Sequence, residues 1–179
     1  MSAQAHSPPL KTLDLRQLLQ GVSRSFYLSI RLLPKAIQAP VAVGYLLARA
    51  TDTVADTTAQ TQADRLNLLA GLARAIEAPS HLMENLTPQI QAFAGQQDNR
   101  QERALMHAWP ECLSQLQGLT AEDQRSVREV LGIITQGQMA DVALFGDGPN
   151  AFNTESELDY YTWQVAGCVG EFWTEVCAR

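Results

Sequence analysis

Residues 36–58, AIQAPVAVGYLLARATDTVADTT, constrain the fold more than any other stretch. At about 100° per residue, Val41, Tyr45, Ala48, Arg49, Asp52 and Asp56 fall on one face of a helix. Val43, Leu47, Ala50 and Val54 fall on the opposite face. A helix that is apolar on two sides packs inside a bundle and not on its surface. The segment is therefore expected to be a buried helix that tolerates Pro40 near its first turns. Two carboxylates one turn apart repel by roughly 0.2–0.5 kcal/mol on an exposed helix. Burying them unpaired costs several kcal/mol more per ion, so a cation is expected between them.

The rest of the chain repeats the helical period. Residues 1–11 read as a loose tail, and 12–179 as one all-α domain built by packing several helices. Helices are expected at 13–19, at 23–33 with a stop at Pro34, at 36–58, and at 64–78 with Leu66, Leu69, Leu72, Ala73 and Ile76 inward. Residues 79–88, with two prolines, read as a turn, and 95–103 as a polar connection. A helix over 104–117 follows. The next one is capped by Thr120 and runs to Phe145, with Gly137 a break in it. GDGPNAFNT (146–154) interrupts the chain, and Thr154 with Glu157 forms a capping box for a last helix.

With 179 residues and 46% hydrophobic content, the chain can bury one real core. A net charge of −6 argues against nucleic-acid binding, since no basic stripe is present to displace counterions. An anionic ligand stays open, because Arg24, Arg31, Lys35 and Arg49 lie near the acidic pair in sequence. Cys112, Cys168 and Cys177 are odd in number and lack metal-ligand spacing, so reduced thiols and a cytoplasmic setting are expected. No run is long and apolar enough to span a bilayer. His6, His81 and His107 show no ligand spacing, and no P-loop, nucleophile elbow or HExxH occurs.

Four segments carry candidate chemistry. Asp52 and Asp56 are candidate Mg²⁺ ligands, because Mg²⁺ favours one or two carboxylates completed by phosphate oxygens. Gly44 and Ala48 would leave a groove beside them. The same spacing also describes a solvated helix face. Ser23, Arg24 and Ser25, read as the start of a helix, suit phosphate oxygens. They equally suit an ordinary cap ahead of the stripe Phe26, Ile30 and Leu33. In YYTWQVAGCVGEFWTEV (160–176), Gly167 and Gly170 cost about 1 kcal/mol each relative to alanine, which implies close packing, a kink or room for a ligand. Glu171 and Glu175 read as a polar face. In ITQGQMADVALFGD, Gln138 and Asp141 face either a pocket or solvent.

SRSF, LLARATDTVADT and Tyr-x-x-x-Val-Ala-Gly-x-Val-Gly, in that order, resemble the squalene/phytoene synthase family, nearest its bacterial farnesyl-diphosphate farnesyltransferase-like branch. The resemblance covers about Leu18 to Arg179. It implies an isoprenoid-synthase-type helical bundle and a transferase that condenses two prenyl diphosphates head to head. By resemblance, Asp52 and Asp56 bind Mg²⁺ and act in catalysis, and Tyr161 lies near the reacting carbons. Ser23, Arg24 and Arg49 contact diphosphate. Phe26 lines the prenyl cavity, and Val165, Ala166, Gly167 and Gly170 wall the hydrocarbon tunnel. The resemblance also allows NADPH as a reductant and peripheral membrane contact for an apolar product. The family's second aspartate-rich motif lies beyond the Val-Ala-Gly helix, and the sequence ends before it. The expectation is thus a C-terminally truncated bundle with little turnover alone, completed by a second chain or derived into a non-catalytic assembly module.

Overall fold

The computed structural model describes residues 13–78, 83–145 and 148–178. Expectations for the tail, for His6 and His81, and for residues 146–147 lie outside these. Every regular element among the described residues is helical, and none of the helices is long and apolar enough to cross a membrane.

α1 (Leu13–Leu32) is one helix where two were expected. Ser23 sits in its interior, and its hydroxyl donates to the Leu19 carbonyl at 2.5 Å. A serine that bonds back one turn is compatible with a continuous helix, so it neither caps nor breaks the chain here. Pro34 ends α1 as expected, and α2 (Lys35–Asp56) follows at once, accommodating Pro40 among buried residues. Val43, Leu47, Ala50 and Val54 keep 1% or less of their surface in water. Thr61 accepts from the Asp64 amide and opens α3 (Gln62–Glu77). Leu68, Leu69, Leu72, Ala75 and Ile76 are buried there, while Leu66 and Ala73 are only partly so. The stripe is broader than expected because α3 packs on α2, on α7 and on α4 (Met83–Gly95). Pro88 lies within α4 and so does not mark a turn.

The expected 104–117 helix is two. Asn99 caps α5 (Arg100–His107), which shortens the polar connection to 96–99. α6 (Trp109–Gln117) starts afresh with Pro110 in its first turn, because proline supplies no amide to continue α5. α7 (Ala121–Phe145) runs unbroken through Gly137. A Cβ on Gly137 would lie 2.8 Å from Val165 Cγ1 and 2.9 Å from Gln164 Cβ, so this glycine serves close helix approach.

The capping box of Thr154 and Glu157 opens α8 (Glu155–Thr162) as expected. A π-helical turn, Trp163–Gly167, then separates it from α9 (Cys168–Cys177). The core gathers Leu46, Leu47, Leu69, Leu72, Phe93, Met106, Trp109 and Leu131 between α2, α3, α4, α5, α6 and α7. Cys112 and Cys168 are buried thiols and Cys177 is an exposed one.

Candidate functional site

The outer face of α2 carries the polar residues, from Tyr45 through Arg49 and Asp52 to Asp56. Burial of the carboxylates was expected, and here the structure differs. Asp56 is exposed, and the Asp52 side chain keeps 40% of its surface. Helical periodicity fixes the side on which a residue lies, not whether a neighbouring helix covers it. This side faces an opening between helices.

Arg49 neutralises part of the charge. One guanidinium nitrogen contacts Asp52 and the other donates to Glu102 of α5 at 2.6 Å. Burial works against the arginine's charge, but Asp52 and then Glu102 more than offset it and raise its pKa. Although Asp56 as a residue is exposed, its carboxyl is partly desolvated, and this raises its pKa first, then Asp52, with Arg49 opposing and Asp141 and Glu102 adding. Burial likewise raises the Tyr45 hydroxyl.

Across the opening, α7 presents Asp141, which accepts from the Tyr161 hydroxyl at 2.8 Å. Burial, that hydrogen bond and the charges of Asp141 and Asp56 push the tyrosine up to about 12. The site thus sets Asp52 and Glu102 against the Arg49 guanidinium, with Asp56 between that group and Asp141. A cavity of about 360 Å³ continues past Asp141, between Thr57, Thr58, Gln62 and Arg65.

The other anticipated residues divide. Phe26 is 56% exposed, but its ring lies 5.5 Å from that of Tyr45, at the end of the same face. Ser23 is buried and engaged within α1, so the expected helix-start phosphate cradle is not formed there. The Arg24 side chain lies outside the described residues. Val165 packs on Gly137, while Ala166, Gly167 and Gly170 are exposed. A Cβ on Gly170 would meet nothing within 4 Å, and one on Gly167 would meet Trp163 of the same turn at 3.1 Å. Glu171 and Glu175 each accept a side-chain hydrogen bond, from Trp163 and Ser126 respectively.

Among the described residues, no three ligand-type side chains form a ready metal cage. Mg²⁺ does not require one, since it usually keeps waters and takes one or two carboxylates plus phosphate oxygens. The excess of carboxylates over guanidinium and the raised Asp56 fit a divalent cation.

A sequence model of squalene/phytoene synthases matches residues 19–179. The chain belongs to the squalene/phytoene synthase family. It is 26% identical over 161 residues to the squalene synthase of Yarrowia lipolytica, covering 89% of this chain and 34% of that one. It is 30% identical over 169 residues to squalene synthase ERG9 of Saccharomyces cerevisiae, covering 94% and 35%. The solved structure of TcSQS with the ligand E5700 superposes with a TM-score of 0.70 at 22% identity, over 92% of this chain and 44% of that one. This likeness establishes the all-α isoprenoid-synthase fold. The chain spans about a third of the length of the curated relatives it matches.

Proposed function

We propose that this squalene/phytoene synthase-family chain takes part in head-to-head prenyl transfer, with farnesyl diphosphate as substrate and Mg²⁺ held by Asp52 and Asp56. The observation that carries the reading is the disposition of Arg49, Asp52 and Asp56 on the open face of α2, opposite Asp141 and Tyr161. Bound there, Mg²⁺ would supply the neutralisation that lets a diphosphate depart. Arg49 offers planar, bidentate donors to the diphosphate oxygens. Tyr161 keeps its proton at neutral pH and presents a neutral aromatic face, which suits a developing carbocation. Phe26 and Tyr45 extend the face with an aromatic surface for the prenyl chain. Val165, Ala166, Gly167 and Gly170 take the tunnel-wall role, and Ser23 and Arg24 the role of further diphosphate contacts. Ser23 would do so only by releasing the Leu19 carbonyl.

Calorimetry with Mg²⁺ and farnesyl thiodiphosphate, a non-ionising analogue, tests this. Saturable heat that requires the metal and disappears in Asp52→Asn is expected; equal heats in both proteins would refute the reading. A second reading, an assembly module that docks another chain, draws on exposed Leu28, Leu32 and Tyr160. It predicts no metal-dependent heat and a partner-dependent change in mass.

A further inference from the structure

Arg49 is held from two helices. Asp52 lies one turn along α2, while Glu102 reaches in from α5, 53 residues away, at 2.6 Å. The Arg49, Asp52 and Glu102 side chains keep 29%, 40% and 21% of their surface, so all three lie at the rim of the opening. Glu102 itself is firmly seated. It stands in the first turn of α5, where the Asn99 side chain accepts from the Gln101 and Glu102 amides at 2.9 and 3.4 Å. Buried Leu105 and Met106 fix the same helix in the core, and α5 packs on α2.

Arg49 already occupies the Asp52 carboxylate that would hold a metal ion, so with the ion bound the arginine would lose its partner on α2. A long, hydrated side chain with one free end would then turn toward solvent. Glu102 is not one of the two candidate ligands, so its hydrogen bond to Arg49 would remain. The released guanidinium nitrogen would still face the carboxylates, where a diphosphate held by the metal would bind.

We propose that Glu102 is the positioning residue for Arg49, keeping the guanidinium over the carboxylate pair once Asp52 is engaged by metal. This rests on the metal and diphosphate reading above. The inference concerns Glu102, which no motif marks, and gives α5 a part in the site.

The test is calorimetric titration of the full chain with inorganic pyrophosphate in excess Mg²⁺, with thermal unfolding of each variant alongside. Glu102→Gln is expected to weaken pyrophosphate binding by about tenfold, the scale of loss when a group that orients a site residue is removed. Glu102→Asp should recover most of that loss. Adding Glu102→Gln to Arg49→Gln should cost nothing more than Arg49→Gln alone, because Glu102 acts through the arginine. Unchanged binding in Glu102→Gln, or fully additive losses in the double variant, overturns the positioning role and leaves the parent reading standing. A wild-type chain that takes up no pyrophosphate with Mg²⁺ overturns both. If Glu102→Gln does not fold, Glu102→Ala carries the same comparison with and without Arg49→Gln.

Discussion

On the inner side of α2, Val43, Leu47, Ala50 and Val54 keep at most 1% of their surface in water. Two residues before Val54, on the outer side, the Asp52 side chain keeps 40% and shares an arginine with another helix. The same turns of helix thus serve two kinds of physics. The inner face contributes area removed from water and close contact with α3, α6 and α7. The outer face accumulates like charge at some expense to stability and holds it where a ligand can reach. What is lost on cutting a side chain should therefore differ in kind between the two faces, and substitutions can break or sharpen that contrast.

Leu47→Ala has the largest expected effect, a loss of about 2–5 kcal/mol from transfer and cavity terms, read by urea unfolding. Ligand heat per folded molecule should not change; if it does, the faces are not independent. Gly137→Ala comes next, at about 1–3 kcal/mol, because the new methyl presses on Val165 and Gln164. Since that seam also carries Tyr161, the substitution should weaken analogue binding as well. Thr154→Ala removes the cap of α8 and should cost about 1 kcal/mol, read by thermal unfolding, with little effect on the core.

Asp56→Asn has the smallest expected effect on stability, within about 0.5 kcal/mol and in the direction of a gain, while metal-dependent heat is lost. The sign follows from linkage. The folded Asp56 carboxyl titrates above its ordinary value of 3.8, so the native state binds this proton more readily than the unfolded chain. Its penalty is present above the folded pKa and fades as pH falls through that value. The stability gain from Asp56→Asn should accordingly shrink between neutral and mildly acid pH, as followed by urea midpoints. A gain that grew on acidification would contradict the assignment.

The sequence made the inner face of α2 legible because periodicity alone decides it. The boundaries of α2 and α7, and the Thr154 cap, were legible from proline, hydroxyl and acidic residues at their expected offsets. Asp52, Asp56 and Arg49 could be picked out as a group because they share a face. The continuity of α1 could not, since a serine can cap a helix or bond back within one, and only the course of the neighbouring chain decides. Glu102 looked like part of a polar connection. Its place beside Arg49 depends on how α5 docks on α2, which no local signal encodes. The sequence does not decide whether Asp141 faces pocket or solvent for a similar reason, as its partner Tyr161 arrives from another helix.

The π-helical turn at Trp163–Gly167 gives this part of the chain a place where a one-residue change of length can be absorbed. It fits one extra residue into a turn, and an α-helix advances about 100° for each residue. Deleting one residue there would let the backbone run on as an α-helix with the buried Phe172 and Val176 still on nearly the same side, whereas a deletion at the start of α9 would swing them by about 100°. A single-residue deletion should therefore be tolerated better within this turn than at the start of α9.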